Sequence, residues 1–314
     1  GIPKNVWLYL TDKMYQTLPL YTNLKTTGVY IYAKDINVNS RTAQINAESE
    51  IKNEYDISKN VVYKVEILDC DGKSITSFEG TQTVVKPGEK ALVKASAQVD
   101  GLHFWSWGYG YLYTVKTTLW VDGKKVDEVA TRTGFRKTRF EKGMIWLNDR
   151  VIQIKGFAQR TSNEWPGVGM SVPAWLSDYS NGLMVEGNAN LVRWMHITPW
   201  KQDIESCDRV GLIQAMPAGD SEKDRQGRQW EQRTELMRDA IIYNRNNPSI
   251  LFYECGNESI SREHMLEMKA IRDIYDPYGG RAIGSREMLD IREAEYGGEM
   301  LYINKSKHHP MWAM

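Results

Sequence analysis

A run of bulky residues, SILFYEC (249–255), stops abruptly at Gly256, Asn257 and Glu258. An amide and a carboxylate side by side at a strand end can do general acid–base chemistry: the carboxyl delivers a proton while the amide positions the reacting group. Such an acid needs a pKa raised toward neutral, and the apolar Leu251, Phe252 and Tyr253 offer the partial burial that raises it. The same pair is also ordinary chemistry for a solvated loop or a helix cap. A second apolar run, NLVRW (190–194), brings Arg193 and, just beyond it, His196 to a strand end. A histidine there is a candidate pocket residue, or a satisfied core imidazole. Glu295 and Glu299, in AEYGGEM, are rival carboxylates that read as solvated or structural residues.

Two rhythms divide the elements that must hold these groups. From residue 1 to about 140 the period is two. Val61, Tyr63, Val65 and Ile67 face one way and Lys64 and Glu66 the other, before the turn Asp71-Gly72. Tyr113 to Val121 repeats the alternation before Asp122-Gly123, and short strands follow the same rule near 28–38, 43–50 and 91–99. This predicts an immunoglobulin-like antiparallel β-sandwich over residues 1–140, although the Cys…Trp…Cys pattern of antibody domains is missing.

Residues 141–314 alternate strand and helix instead. Strands are expected at 151–157, 190–194, 211–216, 249–255, 281–285 and 291–296, with a seventh opening at 310–314. Helical faces are expected from Leu176, Tyr179 and Leu183, from Trp200, Ile204 and Cys207, and from Leu236, Ala240 and Tyr243. A fourth carries His264, Met268, Ile271 and Tyr275 behind a Ser261 cap. Near-continuous apolar strands with helices between them mean a parallel sheet. KGFAQRTSNEWPG is no dinucleotide fingerprint. Polar groups at strand ends favour a (β/α)8 TIM barrel, whose catalytic residues sit at the carboxyl ends of its strands. The barrel is expected to be incomplete at its C-terminal end, truncated near strand seven.

Composition narrows the function classes. The 314 residues carry 40 basic and 40 acidic side chains, so no global field favours nucleic acid or an anionic membrane. No apolar run approaches a membrane span, and the opening GIPKNVWLYL lacks the pattern of a signal peptide. Cys70, Cys207 and Cys255 show neither metal-ligand spacing nor a disulfide framework and are expected to be buried free thiols. No metal site or cofactor is expected. Aromatics are abundant, with 11 Trp and 17 Tyr, enough to spare some for stacking surfaces.

Six blocks, in order, resemble glycoside hydrolase family 2, which contains β-galactosidases, β-glucuronidases and β-mannosidases. GIPKNVWLYL resembles the segment leading out of that family's N-terminal sugar-binding domain. WSWGYGYLYTVKTTL (105–119) is similar to its late sandwich motif, and TGFRKTRFEKGMIWLNDRVIQIKGF (133–157) to its sandwich-to-barrel junction. NANLVRWMHITP (188–199), CDRVGLI (207–213) and NRNNPSILFYECGNES (244–259) resemble three consecutive barrel blocks. The resemblance implies a retaining exo-β-glycosidase acting on terminal β-linked sugars, β-galactosidase-like, with an oligo- or polysaccharide as substrate. It implies that Glu258 is the general acid/base and that Asn257 bonds the sugar 2-hydroxyl. Arg193 and His196 then line the pocket, and Trp165, Trp200 and Trp312 offer stacking faces beside strand ends.

A retaining enzyme also needs a second carboxylate about 5–5.5 Å from the first. The resemblance puts this nucleophile at the end of strand seven, directly after Met314, so the 314 residues alone are expected not to turn over a glycoside. Departures from the family pattern after IKGF and after the Arg-x-x-His block leave the sugar undecided. The competing classes are a non-catalytic carbohydrate-binding relative and a structural sandwich-plus-barrel protein. An oligomer is possible, and a periplasmic or secreted setting is the expectation for a polysaccharide-digesting member.

Overall fold

The structure is a computed structural model and describes residues 5–19, 24–141, 144–160, 165, 167–168, 171–218, 223–257, 260–287 and 300–303. The chain divides into two compact units: Ile2–Phe104 with Leu112–Phe135, and Trp105–Tyr111 with Arg136–Met314. The boundary expected at residue 140 thus falls inside a strand of the second unit.

Among the described residues the first unit holds nine antiparallel strands: β1 (Met14–Gln16), β2 (Val29–Asn37), β3 (Thr42–Asn53), β4 (Lys59–Leu68), β5 (Ser74–Glu79), β6 (Thr83–Val85), β7 (Lys90–Val99), β8 (Tyr113–Val121) and β9 (Lys124–Thr133). One sheet groups β1, β2 and β7 around β3, and the other runs β5-β4-β8-β9 with β6 also on β4. Alternation writes the core: Ala43, Ile45, Ala47 and Ile51 of β3 and Val61, Tyr63, Val65 and Ile67 of β4 are buried, while the residues between them are not, apart from Ser49, which continues the buried face of β3. Gln16 and Thr117 are buried polar exceptions that satisfy each other, Thr117 Oγ1 donating to Gln16 Oε1 at 2.7 Å and Gln16 Nε2 to the Thr117 carbonyl at 3.0 Å.

Gly80 lets the end of β5 approach β7: a Cβ there would stand 2.0 Å from the Lys94 carbonyl oxygen. Gly80→Ala is expected to destabilise this unit by about 1–3 kcal/mol, the usual cost of overpacking, read as a lowered urea midpoint. An unchanged midpoint would mean that the β5–β7 contact yields without cost.

The second unit begins with an antiparallel meander, β10 (Thr138–Glu141), β11 (Met144–Leu147) and β12 (Arg150–Ile152). Among the described residues six parallel strands follow in sequence order: β13 (Gly156–Gln159), β14 (Leu191–Trp194), β15 (Ile213–Pro217), β16 (Ile250–Glu254), β17 (Ala282–Glu287) and β18 (Met300–Ile303). Helices α1 (Ala174–Glu186), α2 (Lys201–Val210), α3 (Arg228–Asn244) and α4 (Arg262–Tyr275) separate the first five. This is the sandwich followed by barrel strands that the two rhythms predict. Segment 105–111 packs within this unit: Trp105 Nε1 donates to the Asp208 carbonyl at 2.8 Å and Trp107 Nε1 to the Ala189 carbonyl at 2.9 Å. Gly211, left-handed at φ 74° as the C-cap of α2, leaves room for this segment, since its Cβ would stand 2.7 Å from the Tyr109 nitrogen.

Several local expectations need correction. VIQIKGF is not one strand: Arg150–Ile152 pairs antiparallel with β11, and the first barrel strand starts at Gly156. On α1, Tyr179 and Leu183 are exposed, and the buried side runs through Leu176, Ser177 and Asn181. There Ser177 Oγ donates to Asp203 at 2.6 Å and Asn181 Nδ2 to Ser206 Oγ at 3.0 Å, so a polar seam joins α1 to α2. On α3, Leu236 and Tyr243 are exposed, and Trp230, Met237, Ala240 and Ile241 face the core. The faces expected for α2 and α4 hold, and Ser261 caps α4 by accepting from the His264 backbone nitrogen at 3.3 Å. The strand after β17 is Met300–Ile303; the stretches 291–296 and 310–314 lie outside the described residues. Cys70 is exposed, while Cys207 and Cys255 are buried.

Candidate active site

The helix-facing side of the parallel sheet carries two apolar clusters. Val192 and Trp194 of β14 pack with Cys207 and Leu212, and Tyr253 and Cys255 pack with Met216, Trp230, Met265 and Met268. Alternation then turns Arg193 and Glu254 to the opposite face, the one a barrel encloses. In the ladder Arg193 pairs with Ala215, and β15 lies between β14 and β16. A methyl at Ala215 leaves the long arginine clear to cross the intervening strand.

It crosses to Glu254. Arg193 Nε donates to both carboxylate oxygens, at 2.9 and 3.1 Å, and Nη2 also bonds Oε1. The same Nη2 donates to Asn257 Oδ1 at 2.9 Å. Exposure is 4% for Arg193, 2% for Glu254 and 6% for Asn257, so water hardly competes for these bonds.

The backbone that carries Asn257 is held from both sides. The Ala218 nitrogen donates to the Glu254 carbonyl at 3.1 Å, and the Cys255 nitrogen to the Gly284 carbonyl at 2.8 Å. Ser285 Oγ donates to the Gly256 carbonyl at 2.7 Å, and Arg233 Nη2 to the Cys255 carbonyl at 2.5 Å. A Cβ on Gly256 would meet that guanidinium at 3.0 Å. Arg233 is itself placed by Trp230, whose ring centroid lies 5.6 Å from its guanidinium carbon and stacks on His264 at 3.7 Å. His264 Nδ1 lies 2.7 Å from Asp224 Oδ1, and Asp224 Oδ2 accepts from the Ser261 nitrogen at 3.1 Å. Burial acts to raise the Asp224 carboxyl, but the bonds from His264 and Ser261 prevail and lower it. Burial pushes the Cys255 thiol far above its ordinary range, which leaves it unreactive.

The structure therefore joins two of the residues expected at the site, Arg193 and Asn257, and adds one that the sequence reading missed. Glu254 is hidden in a run that reads as plain strand; its signal was a lone carboxylate between Tyr253 and Cys255. His196 is half-buried just past β14, on a loop fixed by Met195 N to the Gln159 carbonyl (2.9 Å) and Thr198 Oγ1 to the Pro217 carbonyl (2.8 Å). Trp200 is half-buried at the N-cap of α2, and Trp165 lies against Tyr179 of α1, centroids 6.4 Å apart. Glu258, Trp312, Glu295 and Glu299 lie outside the described residues. No cluster of three metal-ligating side chains occurs among the described residues, and none of their helices is long and apolar enough to cross a membrane.

Comparison with known proteins gives this geometry its family. Residues 27–136 match the model described as "Glycosyl hydrolases family 2", and residues 138–283 match "Glycosyl hydrolases family 2, TIM barrel domain". The chain belongs to glycoside hydrolase family 2. Its sandwich and barrel are that family's domains, as the six sequence blocks imply. A β-glucuronidase of Formosa agariphila is 33% identical over 95% of this chain and 30% of its own length. The β-galactosidase BoGH2A of Bacteroides ovatus is 24% identical over 83% of this chain and 30% of its own. Among solved structures, a β-glucuronidase from glycoside hydrolase family 2 superposes with a TM-score of 0.84 at 31% identity, over 92% of this chain and 30% of that one. The chain thus spans about 30% of the length of these family 2 relatives.

Proposed function

We propose that this chain carries the acid/base half of a retaining exo-β-glycosidase that removes terminal β-linked sugars. Glu258 is the general acid/base, Asn257 the donor to the 2-hydroxyl, and a second carboxylate is the nucleophile. One observation carries the reading: Asn257, immediately before Glu258, is gripped by a buried ion pair on the barrel side of two parallel strands.

The chemistry runs in two displacements. The nucleophile attacks the anomeric carbon as Glu258 gives its proton to the departing glycosidic oxygen, leaving a glycosyl ester on the nucleophile and Glu258 ionised. Water then attacks the same carbon. Glu258 takes one of its protons, the ester bond breaks, and the sugar leaves with its β-configuration retained. Asn257 Nδ2 donates to the 2-hydroxyl, a contact that strengthens as positive charge develops on the ring. The 33% identity to a β-glucuronidase over nearly the whole chain makes a β-glucuronide the first substrate to try, ahead of the β-galactoside that the sequence blocks suggest.

The test uses the intact gene product with Glu258→Gln. Turnover of a glycoside with a poor leaving group is expected to fall about 10²–10⁴-fold, the worth of a general acid, while a dinitrophenyl glycoside, which leaves without a proton, loses far less at the glycosylation step. Equal turnover of both substrates by variant and parent would remove Glu258 from the mechanism.

A further inference from the structure

Resting on that reading of Asn257 and Glu258, we propose that Glu254 is the site's positioning residue. Through Arg193 it fixes the amide of Asn257 with its nitrogen as the sugar-facing donor, and so sets the demand for a 2-hydroxyl.

The argument begins with what each group can do. A guanidinium has donors and no acceptor, so an amide against it must present its oxygen. Asn257 does so, with Oδ1 2.9 Å from Arg193 Nη2. Turning the amide over would set its NH2 against the guanidinium NH2. While Arg193 stays in place, Nδ2 is therefore the half of the amide that donates elsewhere.

Glu254 is what keeps Arg193 in place. Both carboxylate oxygens accept from Nε, and Oε1 also takes Nη2, the nitrogen that serves Asn257. The contact is bidentate and its carboxylate is 2% exposed, so geometry and charge are both enforced. Glutamine would keep the volume but offer one acceptor, and its own NH2 would face a donor. Arg193, held by fewer acceptors, would then no longer be fixed against Asn257. Glu254 need not touch the substrate to exert this effect. On the choice between 2-hydroxy and 2-deoxy sugars, its influence is confined to the bond that Asn257 makes.

That confinement supplies the experiment. In the intact gene product, kcat/KM is measured for 4-nitrophenyl β-D-glucuronide, or the β-D-galactoside if that is the sugar turned over, and for its 2-deoxy counterpart. The parent is expected to favour the 2-hydroxy substrate by about 100-fold or more, the scale of a contact that strengthens in the transition state. Glu254→Gln and Asn257→Ala should each collapse the preference to about tenfold or less, and the double variant should collapse it no further. Arg193→Lys, which keeps a charge beside Glu254 but loses the fork, should do the same. Glu254→Asp should give an intermediate preference and serves where the glutamine variant does not fold. A folded Glu254→Gln protein that keeps the parent's preference overturns the proposal, as does a double variant whose losses multiply. If Glu258→Gln abolishes acid catalysis while Glu254→Gln keeps the preference, the positioning role falls alone. If Glu258→Gln is active, the functional reading falls first.

Discussion

Arg193→Met is expected to cost about 3–5 kcal/mol of stability, the penalty for stranding one member of a buried ion pair, and to abolish turnover. Methionine fills much of the space but takes from the Glu254 carboxylate, 2% exposed, the guanidinium that grips it. The same substitution removes the bond to Asn257 Oδ1, so both effects come from one change. A second variant separates them. Arg193→Met with Glu254→Leu removes both charges and should recover most of the lost stability, because an apolar pair of similar volume is often as stable as the ions it replaces. It should recover no activity. Thermal melts with activity assays read the two outcomes, and a double variant no more stable than the single one would show that the pair's charges were not the issue. The pair is thus expected to add little net stability to the fold and to be kept for the site.

The ion pair also shows where sequence reading works and where it fails. Alternation in β4 and β8 was legible because one face is mostly apolar and the other mostly polar, so period two appears in the residue types themselves. The strand ends of the barrel were legible for the opposite reason: LVRW and ILFYE are apolar enough to stand out as buried on both faces. That same uniformity hid Glu254. A carboxylate flanked by Tyr253 and Cys255 looks like an interruption, and only the register across Ala215 reveals that Arg193 completes it.

The helices failed for a related reason. Apolar spacing on α1 selects Leu176, Tyr179 and Leu183, yet the helix turns Ser177 and Asn181 inward because α2 presents Asp203 and Ser206 to them. A hydrogen-bonded seam between two helices leaves no hydrophobic signature. On α3 the inward positions include Arg233 and Asn244, both engaged by hydrogen bonds, while Leu236 and Tyr243 take the outer side. In α4 the inward His264 and Met268 lie on the apolar stripe, and there spacing and burial agree.

A second large effect is expected at the other end of β16. Arg281 is buried, with Nε donating to the Ile250 carbonyl at 2.9 Å, Nη2 to the Asn247 carbonyl at 2.7 Å and Nη1 to Asp276 Oδ2 at 2.7 Å. Tyr253 donates its hydroxyl to the same Oδ2 at 2.8 Å. Beside it Arg136 bonds the carbonyls of Pro248, Ile250 and Gly279. Burial, then the neighbouring Arg281 charge, lowers the Arg136 guanidinium to about 9, so it keeps its proton at neutral pH. Two guanidiniums therefore satisfy the carbonyls where β16 begins, a task no other side chain performs with so many donors. Arg281→Met should take the guanidinium from the Asp276 carboxylate, itself 1% exposed, and one donor each from the Asn247 and Ile250 carbonyls. The expected loss is about 3–5 kcal/mol, a drop of roughly 6–20 °C in the midpoint of a unit this size. Adding Asp276→Asn should restore part of it by removing the charge that lost its guanidinium, which a melt of the pair of variants measures directly. A single variant melting within about 2 °C of the parent would mean that water reaches Asp276 and the two carbonyls. Glu254 and Asn257 are at stake as well: β16 is five residues long, and slack at Ile250 is transmitted along it to the end that carries the chemistry.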